Sequence, residues 1–384
     1  MLHKFLSLFG LLVVLAVYSQ AQDFLDALFV SDAPVAPTSP PVYTCSGECV
    51  PYYLCDGNQI VTDGTGIIDI RVGEDTTVEN ECPNYMEKCC EKEEVLPEAP
   101  PAATAPRRPT GKYTCGARNP EGLGFRITGN RNGESEYGEF PWMLAILRED
   151  NAYECGGSLI TPNVVLTAAH CIMNKPKKKF LVRAGEWDTQ TKNELHPHQN
   201  RRVREVITHN QFHQGSLAND VGLLILEQPF DLAENIQPVC LPPKNFNFDG
   251  SSCFASGWGR NIFGKGGKYQ VILKKVQLSF VPHYQCQSAM RTTRLGERFR
   301  LHQSFICAGG EKGADTCRGD GGSPLVCQIP GASTNYYQAG IVAWGIGCGE
   351  QGIPGVYANV AMFRDWIDQQ LTQRNVESKH YTFT

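Results

Sequence analysis

The sequence predicts an all-β domain of barrel or sandwich type with one C-terminal helix, carried behind a small disulfide-dependent module and a secretory leader. Three observations carry this reading. From Cys115 onward, short apolar segments at 143–147, 164–166, 221–226 and 338–344 alternate with turns bearing Gly and Pro, the punctuation of short strands. Near the end, Phe363, Trp366, Ile367 and Leu371 recur at helical spacing. Earlier, Cys45, Cys49, Cys55, Cys82, Cys89 and Cys90 crowd into a stretch too short to build a sufficient core, so it needs covalent staples.

The elements follow in chain order. Residues 5–17 form an apolar run behind Lys4, ending near Ser19, Gln20 and Ala21. This is a signal peptide over 1–21, cleaved after about Ala21. The run is too short for a convincing membrane span, so a soluble, secreted mature chain is expected, with no membrane partner. All sixteen cysteines lie beyond the leader and read as eight disulfides formed in an oxidising compartment. A net charge of −5 gives no support to nucleic-acid binding, and no Asn-X-Ser/Thr sequon occurs.

Residues 22–44 include Pro34, Pro37, Pro40 and Pro41 and form a Pro-rich spacer. The cysteine-rich module spans 45–90. Adjacent Cys89 and Cys90 must bridge to different partners, and six cysteines allow fifteen connectivities. Residues 91–114 run from an acidic cluster into Pro- and Ala-rich sequence with Arg107 and Arg108, an exposed linker. The β domain is assigned to 115–372 and a C-terminal tail to 373–384.

Three motifs in the β domain carry chemistry. Leu166-Thr167-Ala168-Ala169-His170-Cys171, Asn219-Asp220-Val221-Gly222-Leu223-Leu224 and Asp315-Thr316-Cys317-Arg318-Gly319-Asp320-Gly321-Gly322-Ser323-Pro324-Leu325 occur in that order. Together they resemble chymotrypsin-like serine proteases over residues 115–372. The resemblance implies a chymotrypsin-like double β-barrel with a C-terminal helix. It gives His170 the position of the general base and Asp220 that of the carboxylate orienting it. The nucleophile's position is filled by Gly321, which has no side chain and so cannot attack a carbonyl. Losing that nucleophile alone costs such enzymes roughly 10⁶-fold in turnover.

A hydroxyl does sit two places on, at Ser323. Two residues of extended chain span about 6–7 Å, whereas a base must come within about 3 Å of the hydroxyl it activates. The resemblance also places an oxyanion hole on the backbone of Gly319 and Gly321. It makes Asp315 the acidic floor of a trypsin-like primary pocket, Gly345 and Gly355 its open walls and Trp344 its rim. Such a pocket holds an Arg or Lys side chain by a charge-assisted hydrogen bond.

The spacing of the N-terminal cysteines resembles the clip domain of arthropod serine proteases, which implies the pairs Cys45–Cys89, Cys49–Cys82 and Cys55–Cys90. The protease resemblance implies Cys155–Cys171, Cys253–Cys327, Cys286–Cys307 and Cys317–Cys348, with Cys115–Cys240 tethering the segment before the barrels. At the usual activation site this chain reads Arg126-Ile127-Thr128-Gly129-Asn130. A cut after Arg126 would free an Ile127 amine to bury against Asp320, assembling an oxyanion hole for a reaction without a nucleophile. A second candidate is Arg71, in the long stretch between Cys55 and Cys82, an extended basic site suited to a trypsin-like enzyme.

Glu186, Asp188 and Glu194 lie in a loop where some relatives bind Ca²⁺, and a hard cation wants several oxygens from one flexible loop. An ordinary solvated loop is the alternative, and no cofactor is required. Lys175, Lys177, Lys178 and Lys179 form a basic loop, solvated or docking an acidic partner. His196, His198, His209 and His213 read as plain surface histidines.

The whole arrangement resembles the arthropod clip-domain serine protease homologues, and within them the non-catalytic prophenoloxidase-activating factors. That implies a secreted haemolymph protein acting as a cofactor or scaffold in melanisation, switched by an upstream clip-domain protease. Its partners would be prophenoloxidase or phenoloxidase and that protease, with oligomers among the assemblies allowed. Two other readings stand beside it: an active trypsin-like protease using Ser323, and a decoy that occupies inhibitors or microbial surfaces through the retained cleft.

Overall fold

The computed structural model describes residues 48–51, 87–90, 114–124, 133–173, 180–190, 194–259, 270–313, 315–316, 320–347 and 349–384. The chain divides into two compact units, 1–100 and 101–384. In the first, β1 (Glu48–Pro51) and β2 (Glu87–Cys90) pair antiparallel, with Cys49 opposite Cys89. The three disulfides expected of this module, and Arg71, fall outside the described residues.

The second unit is built on two closed six-stranded barrels. The first runs β3-β4-β5-β8-β7-β6, from β3 (Met143–Arg148), β4 (Tyr153–Thr161), β5 (Val164–Thr167), β6 (Phe180–Ala184), β7 (Gln199–Thr208) and β8 (Gly222–Leu226). The second runs β10-β11-β14-β13-β12-β9, from β9 (Ser252–Gly257), β10 (Lys274–Val281), β11 (Phe305–Ala308), β12 (Pro324–Gln328), β13 (Tyr336–Trp344) and β14 (Gly355–Asn359). Burial explains the sequence patterns. β5 and β8 are covered on both faces and read as continuous apolar runs, whereas β6 alternates buried and half-buried positions. Closure also removes the open edges that strands otherwise leave.

Among the described residues, three α-helices decorate the barrels: α1 (Ala169–Ile172), α2 (His283–Arg291) and α3 (Val360–Thr372). Asn359 caps α3 by accepting the Met362 N–H, and Val360, Phe363, Ile367 and Leu371 bury one face. Asn375, at φ 56°, then reverses the chain. Val376 N–H donates to Leu371 O and Asn375 N–H to Thr372 O, while Val376 packs against the core. That is a Schellman closure with its apolar contact.

The reversal folds the tail back onto the domain. Tyr381 is buried, donates its hydroxyl to Asp368 at 2.9 Å, and accepts the Leu241 N–H through its carbonyl. Phe383 packs against the second barrel's core. The tail is therefore part of the folded unit, which the polar composition of 373–384 did not suggest.

Among the described residues, four disulfides hold the unit: Cys115–Cys240, Cys155–Cys171, Cys253–Cys327 and Cys286–Cys307. Cys317 and Cys348 lie outside the described residues. The segment before the barrels is anchored twice. Beside Cys115, Arg118 stacks over Phe254 at 4.0 Å and pairs with the buried carboxylate of Glu139. The other oxygen of Glu139 accepts from Lys275 at 2.7 Å, so the buried charge is matched on both sides.

Candidate functional site

The site lies between the barrels. His170 sits on α1, directly after β5, and Asp220 just before β8. Asp220 is fully buried; its Oδ2 lies 2.6 Å from His170 Nδ1 and its Oδ1 accepts the His170 backbone N–H at 2.8 Å. Two bonds from one carboxylate fix both the ring and the backbone that carries it. His170 keeps 28% of its side chain exposed.

Gly321 comes from the turn leading into β12. Gly321 O accepts from Gly156 N–H of β4 at 2.9 Å, and Gly322 N–H donates to Val342 O of β13 at 2.9 Å. The turn is thus sewn to both barrels. A Cβ on Gly321 would lie 2.9 Å from His170 Nε2. The glycine therefore faces the imidazole, and the ring stands where a side chain at 321 would need room. Gly322 holds φ +81, and a Cβ there would meet Thr167 Oγ1 at 2.4 Å, so glycine is required at that position.

Ser323 points elsewhere. It is fully buried, and its Oγ has no hydrogen-bond partner among the described residues. A Cβ on Gly156 would fall 1.9 Å from that Oγ, and a Cβ on Gly257 would fall 3.3 Å from it. The hydroxyl is wedged into the seam between β4 and β9. A nucleophile must reach substrate, and this one is sealed from solvent, so the geometry removes the support for a Ser323 protease. The sequence signal that could have shown this is Gly156, whose missing side chain makes the slot.

Asp320 lies over Gly259, whose N–H it accepts at 2.8 Å. A Cβ on Gly259 would meet that carboxylate at 2.4 Å. Arg126, Ile127 and Gly319 lie outside the described residues.

Asp315 is half-buried. Its Oδ1 accepts Thr316 N–H at 2.8 Å and its Oδ2 accepts Gly349 N–H at 3.1 Å. Burial pushes its pKa up to about 6, overriding these two bonds, with the Asp320 and Glu311 charges adding to the rise. A Cβ on Gly355 would come within 2.8 Å of Asp315 Oδ1, so only glycine there clears the carboxylate. Gly345 is exposed. Trp344 is half-buried, gripped edge-on by Phe299 and Phe305.

The acidic loop differs from expectation. Glu186, Glu194 and His198 bring ligand atoms within 4.8 Å of one another. Asp188 is not in that group: it is buried and its Oδ1 accepts Gln190 N–H at 2.9 Å. His198, read as a surface residue, instead faces Glu186 Oε2 at 3.3 Å, beside Arg183 at 2.9 Å. Glu194 accepts the Trp187 and Asp188 N–H groups, yet burial pushes its pKa up to about 8. Burial raises Glu186 also, and its side chain shares a hydrogen bond with that of Glu194. Two of the other histidines are not plain surface residues either. His196 is half-buried near Glu234, and His209 packs against Phe363 and Trp366. The lysines of 175–179 lie outside the described residues.

Comparison with known proteins fits this geometry. The trypsin family profile matches residues 130–367, and the profile "Serine protease Clip domain PPAF-2" matches residues 39–91. Phenoloxidase-activating factor 2 of Galleria mellonella is 51% identical over 300 residues, covering 75% of this chain and 98% of that protein.

The chain belongs to the clip-domain serine protease homologues.

Further relatives of this family are similar over most of their length. Inactive CLIP domain-containing serine protease A8 of Anopheles gambiae is 39% identical over 338 residues, covering 84% of this chain and 88% of its own. Phenoloxidase-activating factor 3 of Holotrichia diomphalia is 31% identical over 266 residues, 64% of this chain and 73% of its own. Names carrying "inactive" among clip-domain serine protease homologue relatives agree with an intact His170–Asp220 pair that faces a glycine. Among the described residues, no helix is long and apolar enough to cross a membrane.

Proposed function

We propose that this protein is a secreted, non-catalytic cofactor in an arthropod immune protease cascade, assisting prophenoloxidase activation and so melanisation. The observation that carries the proposal is Gly321 opposite His170: the base and its carboxylate are in place and nothing stands between them and a substrate carbonyl to attack it. With the chemistry gone, a surface that binds is what remains for selection to keep. The similarity to phenoloxidase-activating factor 2 of Galleria mellonella supports prophenoloxidase or phenoloxidase as partner. An upstream clip-domain protease supplies the switch by limited cleavage, since the chain has no nucleophile with which to cut itself. The leader over 1–21 supports secretion into haemolymph.

Two parts of the retained site have binding roles in this proposal. Asp315, between Gly345, Gly355 and Trp344, takes a cationic side chain. Glu186 and Glu194 take a Ca²⁺ ion: their ligand atoms lie within 4.8 Å of each other, burial raises both carboxyls, and a hard divalent cation relieves that cost by replacing the proton between them. When bound, the ion would tie the loop to the first barrel and take no part in bond breaking.

The test is reconstitution. Purified prophenoloxidase, an active clip-domain protease and this protein are combined, and phenoloxidase activity is followed. The proposal expects activity to depend on this protein and to be unchanged in His170→Ala. Activity that needs His170, or that appears fully without this protein, would overturn it.

A further inference from the structure

A cleft among the described residues stands apart from the protease-like site. It has a volume of about 360 Å³ and is built where the C-terminal reversal meets the first barrel. Its walls come from Asn163, in the turn before β5; Arg204, on β7; and, after α3, Arg374, Asn375, Val376, Lys379 and His380, with one carboxylate, Glu377. β5 separates it from His170: Asn163 precedes the strand and His170 follows it.

We propose that this cleft binds an anionic saccharide unit, a sugar carrying a sulfate or phosphate ester. The size falls in the range of small-ligand sites, about 300–1,000 Å³. The lining is unlike the apolar wall of such sites, because Val376 is its sole aliphatic side chain. Amides, guanidinium, ammonium and imidazole suit a hydrated, hydrogen-bonding ligand, and the one carboxylate of the lining, Glu377, is already paired with Lys379. Asn163 and Asn375 offer amide donors and acceptors for hydroxyls.

The charge is positive and partly uncommitted. Arg204 is exposed and has no partner among the described residues. It is also deliberately aimed: the β7–β8 register passes from Val203↔Leu226 to Glu205↔Ile225, leaving Arg204 as the extra residue of a bulge. Bulges turn a side chain out of the ladder direction. Arg374 is held in place by two bonds to Glu205 and one to Gln370 O, so it shapes the wall and contributes field. Lys379 pairs with Glu377, but both are exposed, 68% and 64%. Surface pairs of this kind contribute little, so the ammonium can exchange that carboxylate for a ligand oxyanion. A planar guanidinium at Arg204 then takes two ester oxygens at once.

The cleft is absent without the Schellman reversal, because Asn375, Val376, Lys379 and His380 all follow it. The buried Tyr381 and its bond to Asp368 hold that segment in place.

The experiment is titration calorimetry on the full mature protein at low salt, with a sulfated heparin-derived disaccharide in one arm and glucose 6-phosphate in the other. Binding in at least one arm is expected, weakening as salt rises, and the tighter arm identifies the ester. Arg204→Ala and Lys379→Ala should each weaken it about tenfold. Arg298→Ala, an exposed arginine of the loop after α2, should leave it unchanged. No heat in either arm overturns the proposal. So does equal binding of the unsulfated disaccharide, or a loss in Arg298→Ala matching that in Arg204→Ala. Both pocket variants alter exposed side chains, so an unchanged melting curve separates lost binding from lost folding.

Discussion

His170 Nε2 and Gly321 are too close for a serine to be added in place: a Cβ at 321 would stand 2.9 Å from the ring nitrogen. The imidazole has little freedom to retreat, because Asp220 holds both its Nδ1 and its backbone N–H. Gly321→Ser should therefore restore only a small fraction of trypsin-like esterase activity. Adding Ser323→Gly should raise it several-fold, because the unpartnered hydroxyl leaves the seam beneath the turn. Full trypsin-like rates from the single change, measured with an arginyl ester, would show that the turn is already catalytically shaped.

Ser323 and Gly156 form a second coupled pair. Gly156→Ala puts a methyl where the Ser323 hydroxyl lies, and overpacking of this kind costs roughly 1–3 kcal/mol or more. The expected result is a large fall in melting temperature or no soluble protein. Ser323→Ala removes an unsatisfied buried hydroxyl and should be neutral or stabilising by up to about 1 kcal/mol. Gly156→Ala combined with Ser323→Gly should recover much of the loss. Purely additive effects in that cycle would mean the two residues do not compete for space.

Much of this was legible in the sequence, for physical reasons that also set the limits. Strands such as β5 and β8 are continuous apolar runs because both faces are covered, and α3 shows its buried stripe at Phe363, Ile367 and Leu371. The positions of His170, Asp220 and Gly321 followed from three ordered motifs. The direction of the Ser323 side chain did not, since it depends on Gly156, more than 150 residues earlier. The C-terminal tail also escaped, because a single Asn375 in the left-handed region determines its return and its residues are polar. His198 was hidden likewise: only folding sets it against Glu186.

Asp315 gives a pH prediction. Its folded pKa is raised, to about 6, above the ordinary carboxylate value. Its protonated form is thus favoured by folding. The stability it contributes is fully present below about pH 4 and is lost as pH rises through about 6. Cation binding runs the other way, because the pocket needs the ionised form. Benzamidine affinity should rise as pH increases toward 6 and level off above it, and Asp315→Asn should abolish that rise. Affinity independent of pH and of Asp315 would place the cation elsewhere.

Calcium at millimolar concentration should raise the melting temperature, as any ligand of the folded state does, and Glu194→Gln should remove the effect. An equal shift in Glu194→Gln would exclude this loop as the site.

The switch is expected at Arg71. Cleavage between Cys55 and Cys82 should leave two chains that separate only on reduction, and Arg71→Ala should block activation. Cleavage after Arg126 would also leave linked chains, because Cys115–Cys240 and the Arg118–Glu139 pair anchor the upstream segment. N-terminal sequencing tells them apart: an active form beginning at Ile127, with Arg71→Ala fully active, would reverse the assignment.

The central claim is that this protease-like domain breaks no bond. Its most direct test is to incubate the mature protein, before and after limited cleavage, with an arginyl ester and with a covalent serine reagent. The account predicts no turnover above the background rate and no labelled peptide. Turnover that disappears in Ser323→Ala, with the label recovered on Ser323, would contradict it.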